Sequence, residues 1–255
     1  MSQVKADLIG IEIKEVVICT ISMCTQRCWH CAHGVRIPPI QIMPENLVLT
    51  IIDDLAAHGY SKRLSFFCGN EPLLDPRLED FFSYAEIRLP DVQKTLFSNG
   101  DLATLNVLER LFRSGMDKID FSLHNYIREP KLLEYQDYFG KDKVVIFDHA
   151  NPAIFEHFHN HGGLIKDKRV SQTKYLGSDC ALPFKQMVVY PDYTLGLCCA
   201  DMAKNVIIQI AEGQSVVEAF FQSAVLNNFR SMLAEKKRKM SPCIDCSYKG
   251  VDYFD

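Results

Sequence analysis

Cys24, Cys28 and Cys31 form a C-x3-C-x2-C run directly after the apolar segment Val16–Ile21, and three thiols on one short loop constrain this chain more than any other feature. Three thiolates so spaced can hold three irons of a [4Fe–4S] cube and leave the fourth iron open to an external ligand. A zinc ribbon would instead want paired C-x2-C knuckles supplying four ligands.

Ten cysteines in 255 residues fit metal ligands or reactive thiols in a reducing compartment better than a disulfide framework. Besides the triplet, Cys180, Cys198, Cys199, Cys243 and Cys246 lie late, and only Cys19 and Cys68 stand apart, so two metal-binding regions are expected. A hydrophobic share of 47% is enough for a full core, one main domain with a small appendage. The net charge of −4 gives no electrostatic reason to expect nucleic acid or an anionic membrane, which leaves a small molecule as the expected partner. The N-terminal stretch lacks the basic and apolar regions of a secretory signal, and no run of about 18 apolar residues occurs. A cytoplasmic location is therefore expected.

The first half alternates short β-branched runs with amphipathic stretches, the pattern of a parallel sheet covered by helices. Strands are expected at Val16–Ile21, Arg63–Phe67, Lys94–Phe97, Lys118–Leu123 and Val144–Phe147, with helices at Pro44–Ala57, Arg77–Ile87, Thr104–Phe112 and Lys131–Tyr138. Within Pro44–Ala57, Leu47, Ile51, Ile52 and Leu55 recur at helical spacing. The pattern then breaks. The stretch after Phe147 carries His149, His157, His159, His161 and a Gly162–Gly163 turn, a bridging, site-forming segment. Beyond Cys180, Gln186–Val189 and Thr194–Leu197 read as a hairpin and Val216–Leu233 as a helix. The expected divisions are 1–150, 151–179 and 180–255.

Short motifs follow successive strands. Gly69-Asn70-Glu71-Pro72 follows the second, Ser98-Asn99-Gly100 the third, and Ser122-Leu123-His124 ends the fourth. Together with the triplet, this order resembles the radical S-adenosylmethionine (SAM) superfamily. The resemblance implies a truncated TIM-like α/β barrel of about five parallel strands. It also implies a SAM-binding [4Fe–4S] cluster on Cys24, Cys28 and Cys31, whose open iron binds the amino and carboxylate groups of SAM. Gly69, Asn70, Glu71 and Pro72 would then form the loop that binds the SAM amino group. Asn70 replaces the usual second glycine there, and asparagine tolerates positive φ better than most residues. Ser98 and Asn99 would lie beside the methionine and ribose, and Ser122 near SAM or substrate. His30 stands where the family places an aromatic residue near adenine, with Trp29 adjacent.

Cys180, Cys198, Cys243 and Cys246 could complete the coordination of a second [4Fe–4S] cluster, with zinc as the alternative for four such thiolates. Their arrangement resembles the twitch module, a shortened SPASM fold, of some radical SAM enzymes. Cys198 is the preferred fourth ligand, with Cys199 its neighbour. Similarity to twitch enzymes that oxidise an aminocyclitol alcohol extends over most of the chain, including Glu71-Pro72-Leu73-Leu74, Ser98-Asn99-Gly100-Asp101, Asp148-His149 and Gly162-Gly163.

The resemblance implies that a 5′-deoxyadenosyl radical removes hydrogen from a carbinol carbon, the hydroxyl loses its proton, and an electron passes to the auxiliary cluster, giving a ketone. A flavodoxin- or ferredoxin-type reductant is the implied protein partner. The proton acceptor is expected to be His161 or His124, since histidine titrates in the right range. A rival outcome is epimerisation, in which a cysteine, Cys199 or Cys68, returns hydrogen to the opposite face. Peptide modification ranks below a sugar, cyclitol or nucleoside substrate, because no stretch of domain size is spare for binding a leader. A non-enzymatic iron–sulfur carrier would explain the cysteines but not Gly69–Pro72 or Ser98–Gly100.

Overall fold

A computed structural model describes residues 11–250; residues 1–10, part of the stretch read for targeting signals, and 251–255, the end of the expected last division, lie outside the described residues. The first strand, β1 (Glu15–Ile18), is buried along its whole length. Next come α1 (Ala32–Val35), directly after the cysteine loop, and α2 (Glu45–Ala57), whose helix begins at the expected proline, Pro44. On α2 the buried stripe is Val48, Ile51, Ile52 and Leu55, with Leu47 only partly covered. Then β2 (Arg63–Phe66), α3 (Leu78–Arg88), β3 (Gln93–Ser98), α4 (Leu105–Arg113), β4 (Lys118–Ser122), α5 (Glu129–Phe139) and β5 (Val144–Phe147) complete the expected alternation.

The sheet does not end there. After α6 (Leu182–Lys185), strand β6 (Gln186–Val189) lies parallel to β1 on the side opposite β2, and the antiparallel β7 (Thr194–Gly196) and β8 (Ile207–Gln209) continue outward. The strand order is β5-β4-β3-β2-β1-β6-β7-β8, so six parallel strands lead into a hairpin within one sheet. The expected hairpin is present, and its first strand is also a sixth parallel strand.

One helix differs from expectation. Val216–Leu233 is two helices, α7 (Val216–Gln222) and α8 (Ala224–Ala234). Ser223 ends the first and caps the second, its hydroxyl accepting from the Leu226 amide, which satisfies one of the unpaired donors of a new helix start. Ser215 caps α7 in the same way and donates to Asp54 of α2 at 2.7 Å, anchoring the C-terminal helices to the first half.

Alternation along the strands separates two faces. Val16, Ile18, Leu64, Phe66, Leu96, Ile119, Phe121, Met187 and Val189 join the main core with residues of the helices, while Val17, Cys19, Cys68, Val188 and Tyr190 form a smaller cluster on the inner face. Burial of each large side chain in the main core stabilises the fold by about 1.5–3 kcal/mol. Parallel register brings Ile18 level with Phe66 and Val189, Phe66 with Leu96, Ser98 with Phe121 and Ser122 with Phe147. All loops that follow parallel strands therefore open on one edge, the edge where α/β folds hold their ligands. No helix among the described residues is long and apolar enough to cross a membrane.

Candidate active site

The cysteine loop is shaped by close backbone approach. A Cβ on Gly34, in α1, would lie 2.1 Å from the Cys28 carbonyl oxygen, so only glycine lets α1 close against the loop. Cys24, Cys28 and Cys31 all line one cavity of about 330 Å³ at the strand ends. Burial raises the pKa of each thiol, with neighbouring thiols adding to the rise at Cys24 and Cys28, and Cys28 is pushed up to about 12. A bound iron core reverses both penalties, because a coordinating thiol is deprotonated outright, so this donor set suits a cationic cluster.

The same cavity collects most of the other expected residues: His30, Gly69, Asn70, Ser98, Asn99, Ser122, His124 and His161. Glu71 and Pro72 are buried and do not line it. Instead Glu71 locks two loops together. Its Oε1 accepts from Ser98 Oγ at 2.8 Å and the Leu73 amide at 3.1 Å, and its Oε2 from the Asn99 amide at 2.7 Å. Asn99 in turn donates to Thr25 Oγ1 at 3.0 Å and lies 3.8 Å from Cys24 Sγ, joining the third strand's loop to the triplet. In the loop after β2 the positive φ values fall on Cys68 and Gly69, at 132° and 70°, and not on Asn70. Asn70 leaves both side-chain polar atoms buried without a partner.

His30 stacks on Phe158 with ring centroids 4.4 Å apart and lies 5.1 Å from the His124 ring. Trp29 packs on Phe155 and beneath the Arg169 guanidinium, so the histidine and not the tryptophan faces the cavity. Residues outside the expected set also line it, among them His149, Phe158, His159 and Met202. The histidine-rich segment signalled three of these; Met202 carried no signal. Asp101 is a further residue missed as a site member. It accepts from Thr25, Gln26 and Arg128, bracing the triplet loop.

Burial lowers the pKa of every imidazole facing the interior, His30 and His159 to about 4, His124 to about 3, and His149 and His161 in the same direction. His161 bonds the Ala200 backbone, which favours the protonated ring, while its Nδ1 has no partner.

A second, small cavity gathers Cys180, Cys198, Cys243 and Cys246. Burial and mutual proximity hold the first three thiols high, Cys180 up to about 11 and Cys243 to about 12. Cys199 does not line this cavity; it packs against both the main core and the inner-face cluster that contains Cys19 and Cys68. Its amide donates to Gln186 Oε1, and Gln186 Nε2 donates to Glu15, so a buried polar chain from β1 through β6 fixes which of the adjacent cysteines enters the cavity. Cys68 lines neither of these cavities; it borders a third, of about 290 Å³, with Cys19 and Tyr190.

Gly162 and Gly163 dock the bridging segment on the Cys243–Cys246 knuckle. A Cβ on Gly162 would lie 2.6 Å from Pro242 Cβ and one on Gly163 2.8 Å from Asp245 Cβ, and both glycines have positive φ. Asn160 reinforces this contact, donating to the Asp245 carbonyl and accepting from the Ser247 amide. His161 thus lines the first cavity and the next residue, Gly162, the second.

Residues 18–144, which hold the triplet and the loops after the first four strands, match the family model of the radical SAM superfamily. The chain belongs to that superfamily. Membership makes it a radical SAM enzyme and implies SAM and a [4Fe–4S] cluster. A relative in the superfamily is the S-adenosyl-L-methionine-dependent 2-deoxy-scyllo-inosamine dehydrogenase of Niallia circulans, 25% identical over 234 residues that cover 90% of this chain and 91% of the relative. The fold matches the crystal structure of BtrN in complex with AdoMet and 2-DOIA, with a TM-score of 0.79 and 22% identity over 95% of this chain and 98% of that one. It also matches Streptococcus suis SuiB bound to precursor peptide SuiA, with a TM-score of 0.69 and 13% identity over 96% of this chain and 72% of that one.

Proposed function

We propose that this radical SAM enzyme oxidises an alcohol carbon of a small hydroxylated molecule, a cyclitol, sugar or nucleoside, to a ketone. The observation that carries the reading is the pairing of two thiol-lined cavities by one segment, His161 facing the triplet and Gly162 the four late cysteines. The 25% identical dehydrogenase relative supports the same reaction class. When bound, the triplet cluster and SAM supply a 5′-deoxyadenosyl radical, and an auxiliary [4Fe–4S] cluster supplies an electron acceptor.

This chain's own residues do the rest. Cys24, Cys28 and Cys31 would hold the first cluster, and Cys180, Cys198, Cys243 and Cys246 the second, in a twitch-like module. Gly69, Asn70, Ser98, Asn99, Ser122 and His30 would surround SAM, with Glu71 fixing the loops from behind. His161 is assigned as the proton acceptor. One ring nitrogen is engaged with the Ala200 backbone, so the bare Nδ1 is free to take a hydroxyl proton, and burial keeps the ring neutral at pH 7. His124 lines the same cavity and is the second candidate. A flavodoxin- or ferredoxin-type protein would deliver the reducing electron.

Oxidation is favoured over epimerisation by the cavity's thiols. Those lining it are the three of the triplet, whereas Cys68 lines another cavity and Cys199 packs at the inner-face cluster. The test is anaerobic turnover of reconstituted protein against a panel of polyols, with deoxyadenosine and ketone measured together. His161→Gln should suppress ketone while deoxyadenosine persists; unchanged ketone formation would remove His161 from the reaction. Epimer formation in place of ketone would overturn the oxidation itself.

A further inference from the structure

The segment between α1 and α2 carries its apolar side chains outward. Ile37 is 62% exposed, Ile40 75% and Ile42 54%. Their exposure is built in, because the segment is pinned to the chain that leads into the triplet. Ser22 Oγ donates to the Pro39 carbonyl and accepts from the Gln41 amide, both at 2.7 Å. The Ser22 amide donates to the Gln41 carbonyl at 2.9 Å and the Met43 amide to the Thr20 carbonyl at 2.8 Å. Ile42 pairs with Ile21 in an antiparallel bridge, so alternation turns Gln41 and Met43 toward the protein and Ile40 and Ile42 to solvent. The result is a fixed apolar ridge, anchored at Ser22 two residues before Cys24, beside cysteines that are themselves only partly buried.

Charge on the ridge has one sign. Arg27, within the triplet, and Arg36, where the ridge begins, are both exposed, and no acidic residue lies between Arg27 and Ile42 in the sequence. Arg27 donates to the Cys24 and Gln26 carbonyls, and among the described residues neither arginine has a carboxylate partner. The carboxylates around this face are engaged: Asp101 with Arg128, Asp192 with Lys204, while Glu45, the first acid beyond the ridge, acts on Arg77. An apolar ridge rimmed by unpaired arginines is the make-up of a protein-interaction surface. A second copy fits it poorly, since an isologous contact would set arginine against arginine with no carboxylate between them. The ends of the described chain lie elsewhere, Ile11 ahead of β1 beside Tyr60 and Phe221, and Gly250 against Asp179 and Cys180. A partner that brings carboxylates around an apolar contact answers both features, and contacts of small area suit brief electron-transfer encounters.

We propose that this ridge is where the electron donor docks: a small redox protein with carboxylates around its exposed cofactor edge, Ile37 and Ile40 making the apolar contact and Arg27 and Arg36 orienting it. This rests on the reading of the triplet as the cluster that must be reduced, and specifies where its electron enters.

The experiment titrates cluster-replete, SAM-loaded protein with oxidised flavodoxin and with a [2Fe–2S] ferredoxin by calorimetry, at low and at physiological ionic strength. Wild type should bind at least one of them, more tightly at low salt. Arg36→Glu and Ile40→Asp should each weaken that complex by about tenfold or more, and Arg36→Glu should also flatten its salt dependence. With dithionite, a reductant that needs no docking surface, both variants should hold their iron and form deoxyadenosine as wild type does. Ile37→Asp replaces Ile40→Asp should the latter fail to fold. Folded variants that bind the donor as wild type does overturn the proposal, as does wild type that binds neither donor. A wild-type dimer that Ile40→Asp disperses in sedimentation assigns the ridge to a second copy and overturns it too. Ketone formed with dithionite while the donor complex fails strikes the docking surface alone; donor binding that follows the ridge variants, with no ketone under either reductant, supports the docking surface and strikes alcohol oxidation alone.

Discussion

Ser98 Oγ donates to Glu71 Oε1 at 2.8 Å, and this bond ties together the loops that end two neighbouring strands. Glu71 is fully buried, and its carboxylate also accepts from the Asn99 and Leu73 amides. Glu71→Ala removes three hydrogen bonds and leaves the buried Ser98 hydroxyl and Asn99 amide unmatched, each worth about 1–3 kcal/mol. The expected result is a clear drop in the urea midpoint together with SAM affinity weakened by an order of magnitude or more. Glu71→Gln, which retains an acceptor but turns an amide toward the Asn99 N–H or the Ser98 hydroxyl, should fall between. SAM binding by Glu71→Ala equal to wild type would show that the loops hold their places without this clamp.

Iron content separates the two thiol sets. Anaerobically reconstituted wild type should hold about eight irons, and C24A/C28A/C31A about four with deoxyadenosine lost. Cys198→Ala should also lose about four irons yet retain deoxyadenosine formation, whereas Cys199→Ala should retain all eight, because Cys199 lies with the inner-face cluster and not in the four-cysteine cavity. Zinc in place of the second set of irons would instead assign that cavity a structural metal and remove the electron acceptor from the proposed reaction.

Much of this site was legible in the sequence, for a physical reason. The triplet, the loop glycines and the β-branched strands are local signals, and parallel register then carried each loop to the same edge. What was not legible depends on contacts between distant residues. That β6 pairs with β1, Glu15 accepting from Gln186 across the whole middle of the chain, follows from no local pattern. The orientation of Cys198 against Cys199 rests on that same pairing. Glu71 was readable as a site residue, but whether its carboxylate faces a ligand or clamps a neighbouring loop depends on where Ser98 and Asn99 come to lie. Ser223, a single hydroxyl in the middle of an amphipathic periodic stretch, outweighed the periodicity by capping a second helix.

Acid should destabilise the fold through its buried histidines. Burial lowers the His159 pKa to about 4 and that of His161 further below its ordinary value. The unfolded chain binds protons at these positions from about pH 6.5 downward while the folded chain does not, so the stabilising contribution is present above pH 6.5 and is lost as pH falls toward the folded pKa. For His159 alone the loss is about 2 kcal/mol by pH 5. Urea unfolding at pH 7.5 and pH 5.0 checks it: His159→Gln should narrow the difference between the two pH values relative to wild type, and an unaltered difference would show that this imidazole is not held neutral in the fold.

Two glycines should disable the two cysteine sites independently. Gly34 has ordinary backbone angles, and its constraint is the Cys28 carbonyl that an added Cβ would strike at 2.1 Å, so Gly34→Ala pushes α1 away from the triplet. Gly162 is constrained twice, by a φ of 65° and by Pro242, which an added Cβ would approach to 2.6 Å. The backbone penalty alone at such a position is about 1–2 kcal/mol. Gly34→Ala should therefore lose the irons of the triplet and all deoxyadenosine formation while holding the auxiliary set. Gly162→Ala should do the reverse, shedding about four irons and yielding deoxyadenosine without ketone. Because His161 precedes Gly162, its imidazole should be displaced with the knuckle, so adding iron and sulfide back to Gly162→Ala should fail to restore ketone. Restoration in full would mean that the segment reaches its place without the glycine, and that His161 is positioned by the Ala200 contact alone.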